Sequence, residues 1–359
     1  MKWYRPLITI GMILILTGAL FGCSSQNDES SNAAKASASA SDPITKKSYP
    51  KSIHVGVIEG GPESAILVKE NFLKNFGVKV KVTSYAAGTD INNAVVSKKV
   101  DLVSFGSYPI ALGIANRIDY KAVYVPYVEG GNIEALVAKK KQNINRVTDL
   151  KGKKIATPFG TTSQYALLNV LKLAGLDAKK DVKLLDMGGQ DIVAAWTRGD
   201  IDAAYIWSPA LDKCVAGGGK IIMNDGELVK KGITIPEIAV ARTEFAKQYP
   251  TLVQKYVKAL VNVSNLVKKD PEQATKDVAD WENVTTKNAK GQITDNIWIA
   301  PEDQITDQYL GDKGKGKLAR TLKTIADFHK AQGDISQSPD VSTFESAIDT
   351  SFLEHVLNE

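Results

Sequence analysis

From Lys51 to about Pro209 the chain alternates short apolar runs with amphipathic stretches. The runs SIHVGVI, VKVKVTSY, DLVSFG, YKAVYVPY and EALVAKK read as strands, with helical spacing of apolar residues between the earlier ones. A second set repeats the order: KIATP, a helix to Ala174 stopped at Gly175, DVKLLDM, the helix GQDIVAAWTRGD and the strand IDAAYIWSP. This alternation predicts α/β architecture, with parallel sheets covered by helices on both faces. After about Glu244 the pattern is helical to the end, and this part is expected to pack back on the first sheet.

The two sets rhyme. VVSKKVDLVSFGSYP ends a helix, turns, runs a strand and stops at a hydroxyl, an aromatic and a proline; AWTRGDIDAAYIWSP does nearly the same. The rhyme predicts two similar lobes with a cleft between them, joined by two crossover strands near Glu134–Ala138 and Glu237–Arg242. Residues 51–136 with 240–359 are expected in lobe 1, and residues 137–239 in lobe 2.

In open α/β sheets ligands sit beyond the carboxyl ends of the strands. Four loops at such ends carry a glycine and a hydroxyl at a helix start: EGGPES, AAGTD, FGSYP and FGTTS. The last raises a question, because a helix start needs one capping hydroxyl and this one has Thr161, Thr162 and Ser163. One of them is expected to cap the helix, while another joins the backbone amides in holding an anion from the cleft. Plain N-capping is the simpler alternative.

The chain begins with Lys2, Arg5 and the apolar run LITIGMILILTGAL, which has the charge order of a secretory signal. LFGC then resembles a lipobox, so residues 1–22 are expected to be removed and Cys23 lipidated. Residues 23–50, rich in Ser and Ala, read as a disordered tether spanning on the order of 30 Å. The expected location is therefore the extracytoplasmic face of the cell membrane. With Cys23 acylated, Cys214 has no disulfide partner and reads as a buried small residue.

The formal net charge of +5 is spread over helix faces with no basic stripe, which argues against nucleic acid. His54, His329 and His355 are not spaced with cysteines or acids as a metal site requires, and no cofactor fingerprint is present. Neither a metal, a cofactor nor a catalytic residue is expected, and a monomer is the default.

The segments GSYPIAL, GNIEALVAKK, IATPFGTTSQYALLNVLK, AAWTRGDIDAAYIWSPAL and PEIAVARTEFAKQYP resemble the taurine-binding proteins of ABC importers, within the sulfonate and nitrate group of periplasmic-type binding proteins. The likeness runs from Lys51 to the C-terminus. It implies a type II binding-protein fold that closes on a small sulfonate and delivers it to a permease driven by an ATPase. It also implies sulfonate contacts at Ser107, Tyr108, Thr161 and Thr162, and a carboxylate for the taurine amine at Glu237, where close relatives carry Asp.

Taurine is a zwitterion that calls for neutral donors at one end and a carboxylate or aromatic face at the other. Glu134 joins Glu237 as a candidate carboxylate, with a hinge role as the alternative for Glu134. Trp207, Tyr108 and Phe159 are candidate walls, and Tyr165 reads as packing. Other ligands (nitrate, a longer or aromatic sulfonate, a thiamine-pyrimidine precursor), an enzyme on the same scaffold, or a surface lipoprotein acting through protein contacts are the competing readings.

Overall fold

A computed structural model describes residues 49–359; the expected signal segment, Cys23 and nearly all of the tether lie outside the described residues. The strands are β1 (Ser52–Ile58), β2 (Lys79–Tyr85), β3 (Leu102–Gly106), β4 (Tyr120–Tyr124), β5 (Tyr127–Val128), β6 (Glu134–Lys139), β7 (Lys154–Thr157), β8 (Lys183–Asp186), β9 (Ala203–Trp207), β10 (Gly219–Asn224), β11 (Glu237–Arg242) and β12 (Ile297–Trp298). One five-stranded sheet has the order β2-β1-β3-β11-β4 and the other β10-β6-β9-β7-β8, while β5 pairs with β12.

Each sheet is built on apolar runs that the sequence places correctly. In β1, Ile53, Val55 and Val57 are buried between half-buried Ser52, His54 and Ile58. β3 lies inside its sheet, and Leu102, Val103 and Phe105 are at most 1% exposed. On the second sheet a compact cluster of Val137, Ile192, Trp196, Ile206 and Leu211 encloses Cys214, which is a free, fully buried thiol.

Neither sheet is purely parallel, contrary to the alternating pattern. β11 runs antiparallel to β3 and β4, and β6 runs antiparallel to β9 and β10. The reason is topological. A chain arriving from the other sheet enters on the cleft side, where the parallel strands end, so its first strand must run the opposite way.

The chain passes between the sheets in residues 125–133 and 231–236, ahead of the two strands expected to make the crossings. They lie side by side, joined by the Glu129 N–H donating to the Ile235 carbonyl at 2.8 Å and by a bridge between Val128 and Pro236.

The C-terminal helices brace the first sheet and the crossings. The Tyr124 hydroxyl lies 2.9 Å from Ser264 Oγ, Gln304 Oε1 accepts from the Val125 N–H, and Asn296 Oδ1 accepts from the Gly130 N–H. Among the described residues, no helix is long and apolar enough to cross a membrane.

Candidate functional site

Between the two sheets lies a small cavity of about 50 Å³, lined from one side by Gly60, Gly61, Gly88, Gly106 and Glu237 and from the other by Glu134, Thr161, Thr162 and Trp207. Four helices begin on it: Pro62–Lys69, Gly88–Val96, Ser107–Ala115 and Thr162–Leu173. None has a side chain capping its first turn. The positive ends of four helix dipoles therefore converge on one small space, which suits an anion without any cationic side chain.

The three hydroxyls of FGTTS do something other than the expected capping. Thr161 Oγ1 donates to the Pro158 carbonyl at 2.6 Å, while Thr162 Oγ1 (3.5 Å) and Ser163 Oγ both donate to Glu134 Oε1. No hydroxyl caps the helix, and two of the three hold a carboxylate in place. The backbone N–H groups of the first turn are left without a side-chain cap.

Carboxyl groups gather around the same cavity. Glu134 is 1% and Glu237 4% exposed, each at the first position of its antiparallel strand, one on either sheet. Glu134 Oε2 has no partner, and Glu237 Oε1 accepts a long 3.5 Å bond from Ser104 Oγ. Behind Glu134, Glu129 and Asp225 offer carboxylate oxygens such that all three groups lie within 4.8 Å of one another. Asp225 accepts from the Tyr205 hydroxyl at 2.6 Å. Three such oxygens suit an ammonium group or a hard cation alike.

Burial raises Glu134, Glu129 and Glu237 well above the usual carboxylate range, because it penalises the charged form. Neighbouring carboxyls add to it: Asp225 beside Glu134, Glu134 beside Glu129, and Glu63 beside Glu237.

Six of the eight ligand-contact candidates lie on or beside the cavity. Thr161, Thr162, Glu134, Glu237 and Trp207 line it, and Trp207 Nε1 reaches across to donate to the Glu59 carbonyl at 2.9 Å. Ser107 sits at a helix start beside lining Gly106, fully buried with Oγ unpartnered, but its N–H is taken by the Pro236 carbonyl at 3.0 Å.

Two candidates lie elsewhere. Tyr108 is stacked on His329 (3.8 Å between centroids) and Tyr165 (5.2 Å), and its hydroxyl donates to Asp334, so it is a core aromatic under the C-terminal helices. Phe159 is 38% exposed at a loop tip and does not line the cavity. Tyr165 is packing, as expected, and Glu134 binds the hydroxyls of Thr162 and Ser163.

Glu129 and Asp225 were not among the candidates, while Gly60 and Gly61 belong to the expected loop EGGPES. An acid set in the apolar stretch YVEGGNI was the available signal for Glu129. Asp225 carries none, since NDGEL reads as an ordinary helix start, and Asn224 does cap that helix by accepting from the Glu227 N–H.

A model of the family described as NMT1/THI5 like matches residues 68–274, more than half of the chain. Over 281 residues the chain is 28% identical to the taurine-binding periplasmic protein of Escherichia coli (strain K12), covering 76% of this chain and 84% of that one. It is 24% identical over 291 residues to a putative aliphatic sulfonates-binding protein of Bacillus subtilis (strain 168), covering 81% and 82%.

Among solved structures, the alkanesulfonate-binding protein SsuA from Xanthomonas axonopodis pv. citri, bound to MOPS, superposes with a TM-score of 0.69 at 20% identity over 84% of this chain and 99% of that one. The desulfurization enzyme DSZB shares the fold too, with a TM-score of 0.62 at 15% identity over 86% and 99%, so the fold alone does not separate binder from enzyme. With two α/β lobes around a donor-rich cleft and a family match over the second lobe and about half of the first, the chain belongs to the NMT1/THI5-like family and has the fold of periplasmic solute-binding proteins.

Proposed function

We propose that the protein is the extracytoplasmic, lipid-anchored solute-binding component of an ABC importer, and that its ligand is taurine. The observation that carries this reading is one cavity where four uncapped helix starts meet two buried carboxyls from opposite sheets, Glu134 and Glu237. The sulfonate lies against the helix starts at Gly106 and Thr162. The ammonium displaces protons from the carboxyls and is held by them, at about 1.5–3 kcal/mol for each charge-assisted hydrogen bond. The two methylenes rest on Ile58, Ile133 and the indole of Trp207.

Because the ligand touches both lobes at once, it favours the closed arrangement over an open one, and the permease reads the closed form. Cys23 anchors the protein by its lipid, and residues 23–50 let the lobes reach the permease. Turnover is not part of the reading, which follows the relatives named as taurine- and aliphatic sulfonates-binding proteins.

Calorimetry of the folded chain with taurine, ethanesulfonate, β-alanine and nitrate tests this. Taurine is expected to bind tightest, at least tenfold over each of the others. Equal binding of ethanesulfonate would remove the amine from the reading and leave a general sulfonate binder. Consumption of a sulfonate on prolonged incubation would replace binding by catalysis.

A further inference from the structure

Trp207 borders a second hollow besides the cavity. A groove of about 600 Å³ runs along the cleft mouth, and Trp207 and Glu59 belong to its wall as well as to the cavity's. The remaining groove wall has an apolar side of Val193, Ile206, Pro209 and Ala210 and a polar side of Gln190, Asp191 and Lys213.

The wall between the two hollows is thin. On one side it is the backbone of Glu59, Gly60 and Gly61, with no side chain from the two glycines; on the other it is the indole of Trp207. The two surfaces touch: Nε1 donates to the Glu59 carbonyl at 2.9 Å, and a Cβ added at Gly60 would lie 2.7 Å from Trp207 Cδ1.

We infer that Trp207 is a partition that sets ligand length, admitting a sulfonate with a two-carbon tail and shutting longer tails out of the groove. This rests on the sulfonate reading above. The whole cavity, head-group seat included, offers about 50 Å³, so a tail of more than a few carbons has to pass the indole. Beyond it, the apolar side of the groove, with Val193, Pro209 and Ala210, can cover such a tail. One side chain therefore separates a binder of short sulfonates from a binder of long alkyl or aromatic ones.

The test is a chain-length series of ethane-, butane- and octanesulfonate, titrated by calorimetry into the wild type, Trp207→Phe and Trp207→Ala, with thermal melts to confirm folding. In the wild type, affinity is expected to fall at least tenfold from ethane- to octanesulfonate. Trp207→Phe keeps the ring and loses the bond to Glu59, so it should keep the cutoff. Trp207→Ala should invert the order by tenfold or more, since each methylene that enters the groove adds up to about fourfold in affinity.

A folded Trp207→Ala protein that ranks the three ligands as the wild type does would overturn the partition. So would wild-type protein that binds octanesulfonate as tightly as ethanesulfonate, an outcome that needs no variant to fold. Wild-type protein that binds no sulfonate, taurine included, would instead overturn the functional reading on which the partition rests.

Discussion

The two lobes place the same pair of positions at the cleft and fill them differently. In each, the first residue of the antiparallel strand is a glutamate paired with the last residue of a neighbouring central strand: Glu237 with Gly106, and Glu134 with Trp207. Where the first lobe has glycine, the second has the largest side chain available. Gly106 makes a hole that Thr162 fills, since a Cβ there would lie 2.5 Å from Thr162 Cγ2. Trp207 makes a knob that covers the bare Glu59–Gly60 backbone of the first lobe. Two lobes of like design thus close through complementary surfaces, one rich in glycine and the other rich in side chains.

Filling a hole should break this arrangement most severely. Gly60 has φ +81, and a Cβ on it would sit 2.1 Å from the Ser208 carbonyl oxygen, which is backbone and has little room to yield. Gly60→Ala is expected to lower taurine affinity a hundredfold or more. It should also leave the radius of gyration, measured by small-angle X-ray scattering, unchanged on adding ligand. Gly106→Ala meets only a side-chain methyl and should cost about tenfold. Wild-type affinity in Gly60→Ala would show that the two surfaces need not touch.

Next in size are the paired glutamates. Glu134→Gln and Glu237→Gln should each lower taurine affinity by roughly tenfold to a hundredfold and leave ethanesulfonate within about threefold. A loss at one position alone would mean that the pairing is architectural and that one lobe reads the amine.

Protonation sharpens the point. Glu134, Glu129 and Glu237 hold their protons above the usual carboxylate range because they are buried, and an ammonium beside them favours the anion. Taurine binding then releases protons, so its affinity should rise with pH above the ordinary carboxylate value of about 4.5, by up to tenfold per pH unit for each proton, until the free site ionises by itself. Ethanesulfonate lacks the ammonium and should show a flat or falling profile. Calorimetry at pH 5.5 and pH 8 checks both, and a taurine affinity independent of pH would remove the ammonium from the carboxyl cluster. The smallest effect belongs to Phe159→Ala, which should move affinity less than twofold because the ring stands off the cavity.

Much of this was open to inspection in the residue order. Strand runs, the rhyme between DLVSFGSYP and DAAYIWSP, and the loops at strand ends were legible because burial imposes short-range periodicity. Thr161, Thr162, Glu134, Trp207 and Glu237 were within reach because each stands at the edge of an element, where a side chain leaves the core for the cleft. Tyr108 looked the same by that rule and points the other way, into a stack with His329, since its direction depends on a helix more than two hundred residues later. The hydroxyls of Thr162 and Ser163 likewise look like caps until Glu134 is brought beside them.

The amino-acid sequence by itself determined the α/β elements, their repetition in two lobes and the loops that would face a ligand, because those follow from local periodicity and from the preferences of glycine and hydroxyl residues. Only the tertiary structure decided which way the two returning strands run, and with it the placing of Glu134 and Glu237 face to cleft, the gathering of Glu129 and Asp225 behind them, and the seating of Trp207 on Glu59. Those choices join segments a hundred residues apart, and only closure of the two lobes puts a cost on any other arrangement.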